Sequence, residues 1–184
     1  QISKKSEKFK NFKNLNTQEN LFEEIIKPSQ NLKINLRAIK KNLAWLNKNY
    51  NNSNNLDNFS YKNLNKVIFK SKKLSSGTIN ESILFDGDKV ITSNDKGDII
   101  VYSISNKKIY LKYNFYRKRF KNIKKKLNLT IDNKILYVND NIGFIYALDY
   151  NEKKILWAKN SKIPFRSNLK VFNNRIITSD TNNV

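Results

Sequence analysis

One stretch of sequence, strand then tight turn then strand, occurs three times at nearly constant spacing. Ile83-Leu84-Phe85-Asp86-Gly87-Asp88-Lys89-Val90-Ile91 matches Leu129-Thr130-Ile131-Asp132-Asn133-Lys134-Ile135-Leu136, and then Lys170-Val171-Phe172-Asn173-Asn174-Arg175-Ile176-Ile177. Anchored on Lys89, Lys134 and Arg175, the copies lie 45 and 41 residues apart. A period of that size marks an array in which each unit is one supersecondary structure that buries its apolar face only against its neighbours. The rest of the unit repeats too. Asp95-Lys96-Gly97-Asp98-Ile99-Ile100 aligns with Asn141-Ile142-Gly143-Phe144-Ile145-Tyr146, and Ile109-Tyr110-Leu111 with Ile155-Leu156-Trp157 and the earlier Val67-Ile68-Phe69.

Short β-branched and aromatic runs bounded by Asp, Asn and Gly predict strands at 67–69, 82–85, 90–93, 99–102, 109–111, 128–131, 135–138, 144–148, 155–157, 169–171 and 176–178. The turns between them are short and hold no helix, which describes an antiparallel meander. Four such strands in about 40–45 residues make one propeller blade. The expected fold is therefore an all-β propeller of four-stranded antiparallel blades, preceded by a mostly irregular N-terminal segment. The expected boundaries are a polar tail over 1–30, a lead-in over 31–66, a closing strand in 67–78, blades at 79–126 and 127–166, and a partial blade at 167–184. That is about two and a half blades where closure takes 4–8, so the chain is expected to be the N-terminal part of a longer protein.

The lead-in reads two ways. Leu32, Leu36, Ile39, Leu43 and Leu46 form a helical stripe, and Lys33, Arg37, Lys40, Lys41 and Lys48 would suit a helix lying on a membrane surface. Periodicity alone favours the helix, packed on the same domain rather than on a membrane, whereas the Asn-rich cluster 51–55 that follows at once is turn chemistry.

Composition narrows the chemistry. There is no Cys and no His, which excludes disulfides, thiolate or imidazole metal sites and a Ser-His-Asp triad. There is no Met either, so Gln1 is expected to be an internal or processed residue. Nothing approaches the run of about 18 apolar residues that a membrane-spanning helix needs. The net charge is +21, from 36 Lys and Arg against 15 Asp and Glu. Lys, Asn and Ile supply 31, 32 and 22 of the 184 residues. All three have A/T-rich codons, so part of that charge reflects codon bias rather than a partner.

The stretch Gly143-Phe144-Ile145-Tyr146-Ala147-Leu148-Asp149, followed by Trp157, resembles the signature of the PQQ-type propeller repeat family. Lys153 stands where that family usually has the Gly of the second turn. In the preceding unit Tyr102-Ser103-Ile104-Ser105 takes the place of Tyr-Ala-Leu-Asp, and Leu111 that of the Trp. The resemblance implies that Ala147 packs tightly between blades, Asp149 caps the following turn and Trp157 stacks between blades, with Leu148 a further residue of the structural signature. Gly97 and Gly143 sit where a tight turn needs a positive φ.

The ordered series Trp45, Asn51 to Asn55, Leu64-Asn65-Lys66-Val67-Ile68-Phe69, Ser75-Ser76-Gly77 and Pro164-Phe165-Arg166-Ser167 is similar to the start of the BamB family of outer-membrane assembly factors, the alphaproteobacterial type above all. That resemblance implies an extended lead-in and a non-enzymatic scaffold of the β-barrel assembly machinery. Such a scaffold binds the barrel subunit's periplasmic domains and unfolded barrel precursors. It would sit at the periplasmic face of the outer membrane, through a lipid anchor outside this chain. The expected contact loop holds Ile163, Pro164, Phe165 and Arg166, an apolar anchor beside a forked donor.

The remaining signals are weaker for chemistry. Nearly all acidic residues of the repeats fall in predicted turns, where Asx geometry accounts for them. Asp86/Asp88 and Asp95/Asp98 supply too few oxygens for Ca²⁺, which takes 6–8. No catalytic cluster, cofactor or metal site is expected, and a fragment of a quinone-dependent dehydrogenase is the least favoured function. The segment 107–126 is the local anomaly, with ten Lys and Arg, no acid, and Tyr110, Tyr113, Phe115, Tyr116 and Phe120 between them. Cations plus aromatics are what backbone neutralisation and base stacking require. The alternative function is accordingly a basic propeller that binds nucleic acid or anionic membrane through Arg117, Lys118, Arg119 and Lys121. Against it stands a plain structural account, a closing strand with inward aromatics followed by a solvated linker.

Overall fold

The computed structural model describes residues 27–61, 66–67 and 69–182, with Arg119 described by its backbone alone. Most of the expected polar tail thus lies outside the described residues. The chain divides into two compact units, Gln1–Leu36 and Arg37–Val184. In the first, the described residues make one turn, closed by the Leu32 N–H donating to the Ser29 carbonyl at 3.0 Å. All that follows concerns the second unit.

Its strands are β1 (Ala44–Trp45), β2 (Leu84–Asp86), β3 (Lys89–Ser93), β4 (Asp98–Ser103), β5 (Lys108–Asn114), β6 (Leu127–Asp132), β7 (Ile135–Asp140), β8 (Phe144–Asp149), β9 (Lys154–Asn160), β10 (Lys170–Phe172) and β11 (Arg175–Ile177). They form three antiparallel groups: a first sheet in the order β1-β2-β3-β4-β5, a second in the order β6-β7-β8-β9, and a β10-β11 hairpin. The fold is all-β, built of meandering blades. Short turns set the register. Asn133 and Lys134 have φ of 48° and 64°, and Asn173 and Asn174 have 48° and 58°. A two-residue hairpin whose twist matches the strands needs positive φ at both positions, which Asn tolerates best among residues with a Cβ.

The repeat extends to a defect in the ladder. A bulge falls between Val101 and Tyr102 in the β4–β5 pairing and between Ala147 and Leu148 in the β8–β9 pairing. Val101 pairs with Leu111 as Ala147 pairs with Trp157. The unit in the first sheet is therefore Ile100-Val101-Tyr102-Ser103, in line with the alignment of Ile100 with Tyr146 and two residues earlier than Tyr102-Ser103-Ile104-Ser105. Lys107 and Lys153 sit at matching turns with φ of 51° and 57°. The Lys that replaces the family's Gly thus adopts the left-handed conformation that Gly would supply.

One core joins the two sheets. Leu84, Ile91, Ile99 and Val101 of the first pack with Leu127, Leu129, Leu136, Val138, Tyr146 and Leu148 of the second, all essentially without solvent contact. Burial of each such side chain contributes roughly 1.5–3 kcal/mol.

The lead-in is extended, and no helix forms over 31–50. Leu32, Leu36, Ile39 and Leu43 of its apolar stripe face solvent, Leu36 being 81% exposed, while Leu46 is half-buried against the core. A helix of that length in water is marginal without an apolar partner, and here backbone pairing takes its place. β1 adds to the edge of β2, the Leu46 carbonyl accepts the Ile131 N–H at 2.8 Å, and the Asn52 amide donates to the Val171 carbonyl at 2.7 Å. Residues 44–52 thus run along β2, β6 and β10. Of the expected closing strand, Val67 and Phe69 belong to no sheet, and Ile68 lies outside the described residues. Val67 is 83% exposed, and a three-residue strand needs a sheet edge beside it to persist.

Candidate functional site

The turns β3–β4 and β7–β8 and the connections 115–126 and 161–169 gather at one end of the sheets, opposite the two-residue hairpins. Each turn opens on an Asx side chain. Asn94 Oδ1 accepts the N–H groups of Lys96 and Asp98 at 3.0 and 2.9 Å. Asp140 Oδ1 accepts those of Ile142, Gly143 and Phe144, each at 2.8 Å. Gly97 and Gly143 then take φ of 87° and 102°.

Gly143 also sets the path of the 161–169 connection. A Cβ there would stand 2.8 Å from the Ile163 carbonyl oxygen and 3.0 Å from its nitrogen, so backbone runs directly over the glycine. The Ser161 N–H donates to the Gly143 carbonyl at 2.8 Å, and the Phe165 N–H to that of Asp140 at 3.0 Å. On the far side the Arg166 N–H reaches the Ser179 carbonyl at 3.0 Å, and the Thr181 N–H reaches that of Pro164 at 2.9 Å. The loop is tied at both flanks. Ile163 and Phe165 are half-buried, while Pro164 and Arg166 are exposed. Phe165 and Arg166 share a cleft of about 440 Å³ with Lys48, Lys126, Asn128 and Asn141. The extended lead-in delivers Lys48 to this cleft from far along the chain, and nothing in the local sequence of the loop signalled it.

The 115–126 connection is pinned by its aromatic residues. Phe115 stacks on Tyr146 with ring centres 4.5 Å apart, and Phe120 meets Phe144 edge-on at 5.4 Å. The Tyr116 hydroxyl donates to the Asp140 carboxylate. Burial, with Asp140 nearby, pushes the hydroxyls of Tyr116 and Tyr146 far above the usual phenol range. These rings are inter-sheet packing, so the connection expected to be a solvated linker is anchored by Tyr116 and Phe120. The cations point outward: Arg117, Lys118 and Lys121 are all exposed. Lys118–Phe120 forms a single 3₁₀ turn. Lys125 is the exception. It is 3% exposed, its ammonium donates to the Phe120 carbonyl, and burial lowers its pKa.

The repeat-signature residues are structural in placement. Ala147 and Leu148 are fully buried. Asp149 Oδ1 accepts the N–H groups of Asn151 and Glu152 at 2.9 and 2.8 Å. Trp157 is 39% exposed, and its ring lies 6.3 Å from Tyr137 of its own sheet. The turn carboxylates are engaged likewise. Asp88 takes the Ser103 hydroxyl and the Ser105 N–H. Burial alone would raise the Asp98 pKa, but amide hydrogens from Asn114 and Asn94 and the Lys112 ammonium hold it below the usual carboxylate range.

No known family's sequence profile matches this chain, and no curated protein matches it. Among solved structures it is similar to BamB from Moraxella catarrhalis, at 21% identity and a TM-score of 0.41 over 52% of this chain. The match spans 27% of the length of that chain.

Proposed function

We propose that this chain is part of a non-enzymatic propeller scaffold that docks a protein through the loops at the connection end of its blades. The observation that carries this is the 161–169 connection. It is held by backbone hydrogen bonds on both flanks, yet it leaves Pro164 and Arg166 in solvent beside a half-buried Phe165. A loop fixed before binding loses little entropy on contact, and Arg beside an aromatic is a composition in which binding energy concentrates. The sequence resemblance described above supplies the partner class: the periplasmic domains of an outer-membrane barrel-assembly subunit, with unfolded barrel precursors as cargo. By the same resemblance the scaffold would work at the periplasmic face of the outer membrane. No cofactor enters the proposal.

The test is capture of the barrel subunit's periplasmic domains by the full-length protein. Arg166→Glu should abolish capture and leave thermal unfolding unchanged. Normal capture by a folded Arg166→Glu protein would remove this loop as the contact. A Phe165→Ala protein that keeps capture but melts several degrees lower would show that Phe165 serves the fold alone.

A further inference from the structure

We infer that the cleft between the β3–β4 turn and the 115–126 connection is a binding site for a phosphate group. It measures about 460 Å³ and is lined by Lys96, Arg117, Lys118, Lys121 and Lys125, together with Asp98, Asn114, Tyr116 and Asn122. Five cations face one carboxylate there, and that carboxylate is already engaged. Asp98 receives Asn114 at 2.9 Å, Asn94 at 2.8 Å and Lys112 at 3.3 Å. Among the described residues Arg117, Lys118 and Lys121 pair with no carboxylate, and the Lys96 ammonium meets only the Ser76 hydroxyl, at 3.1 Å.

Lys125 distinguishes this cleft from a merely basic surface. An ammonium buried this deeply is costly unless something compensates it. Its ammonium donates to the Phe120 carbonyl and lies 5.3 Å from the centre of the Tyr116 ring, and the Asp95, Asp98 and Asp140 carboxylates nearby offset part of its charge. One such hydrogen bond leaves two of its three donors free. The wall it belongs to is rigid, because Phe115, Tyr116 and Phe120 are locked against the second sheet. A cleft in which cationic donors outnumber acceptors suits a multiply charged phosphate, which accepts hydrogen bonds and donates few or none.

Codon bias alone would spread Lys evenly and does not explain the contrast between the two ends. At the hairpin end Lys134 pairs with Asp86 at 2.7 Å, and Lys89 and Lys153 lie over the Tyr110 ring. At the connection end the cations converge on a cavity. The same geometry disfavours single-stranded nucleic acid, whose bases need exposed rings to stack on. The phosphate would come from a lipid headgroup or from a soluble phosphate ester.

The probes are inorganic pyrophosphate, by calorimetry, and phosphatidic acid/phosphatidylcholine vesicles, by co-sedimentation, with the full-length protein. Arg117→Gln/Lys121→Gln removes two cleft charges at exposed positions. Lys107→Gln/Lys154→Gln removes two exposed charges at the hairpin end. Pyrophosphate affinity should fall by about tenfold or more in the first variant and stay within about twofold in the second, with both melting as wild type does. Vesicle binding that falls in parallel assigns the phosphate to a lipid headgroup. Pyrophosphate binding without vesicle binding assigns it to a soluble ester. Equal weakening in both variants, or capture of vesicles or single-stranded DNA without any pyrophosphate binding, overturns the site in favour of diffuse charge.

Discussion

The first and second sheets share a strand order, a bulge and a turn plan, yet only the second carries the family's signature residues. Val101 and Leu111 of the first occupy the paired positions of Ala147 and Trp157 in the second. Ser103 stands where Asp149 does, and its hydroxyl accepts the Asn106 N–H at 3.2 Å as the Asp149 carboxylate accepts those of Asn151 and Glu152. The small residue and the Trp are thus dispensable for making the blade. What both sheets keep is an Asx oxygen opening the β3–β4 or β7–β8 turn, a glycine at positive φ behind it, and an oxygen capping the turn after the bulge. Those groups satisfy backbone donors that strand pairing cannot reach.

The largest difference between the sheets should appear at the two glycines. Alanine at either is strained by its φ, at a cost of roughly 1–3 kcal/mol. At Gly143 the added methyl also meets the Ile163 backbone, whereas at Gly97 it meets the ring of Tyr116, 2.4 Å away. Gly143→Ala should therefore lower stability by about 3 kcal/mol or more, a shift of several degrees in melting temperature for a chain this size. Truncating the neighbour separates the two cases. Gly97→Ala combined with Tyr116→Ala should cost clearly less than the sum of the single changes, while Ile163→Ala should rescue none of the Gly143→Ala loss. Additive behaviour in the first pair would mean that the ring does not confine Gly97.

The next difference lies in the residue opening each turn. Asn94 donates to Asp98 Oδ2 at 2.8 Å, while the position matching Asp98 in the second sheet is Phe144. An acid is accommodated in one turn and excluded from the other. Asn94→Asp would set two carboxylates against each other, and we expect a loss of about 2 kcal/mol at neutral pH, since like charges this close raise one pKa strongly. The folded state would then hold a proton that the unfolded state has released, so stability should fall as pH rises through the raised value. The defect should shrink below about pH 5. Asp140→Asn keeps the oxygen that serves three N–H groups but turns the acceptor of the buried Tyr116 hydroxyl into an amide donor, and should cost about 1–3 kcal/mol with little pH dependence. Chemical denaturation at pH 4.5 and 7.5 measures both. Equal stability of Asn94→Asp and wild type at pH 7.5 would refute the explanation.

The comparison also shows which features were legible in the sequence. Strands of the repeats were visible because alternating β-branched runs between Asn and Gly turns encode local geometry. The turn glycines were visible for the same reason. The lead-in was not, because its Leu32 to Leu46 stripe satisfies helical periodicity while its actual partners, Ile131 and Val171, lie far along the chain. Periodicity registers a face but not what covers it. The basic segment was legible only in composition. That Phe115 and Tyr116 turn inward while Arg117 and Lys118 turn outward depends on the facing sheet, and above all on Asp140, which local sequence showed only as a turn residue. Lys48, brought to the 163–166 cleft by the lead-in, left no local trace at all.

The smallest expected difference concerns the capping oxygens after the bulge. Ser103→Ala removes the acceptor of the Asn106 N–H and also a donor to Asp88, whose carboxyl is held below the usual range chiefly by that hydroxyl and the Ser105 N–H. Asp149→Ala removes the acceptor of two N–H groups and leaves the rest of its turn in place. Loss of a cap of either kind costs about 1 kcal/mol by analogy with helix caps. The two variants should therefore destabilise to within about 0.5 kcal/mol of each other, despite the difference in charge and in resemblance to the family signature. Urea unfolding of both variants tests this. A Ser103→Ala protein indistinguishable from wild type, beside an Asp149→Ala protein that loses about 1 kcal/mol, would show that the carboxylate does what the hydroxyl cannot. The signature Asp would then be a requirement of its own blade rather than one of two interchangeable caps.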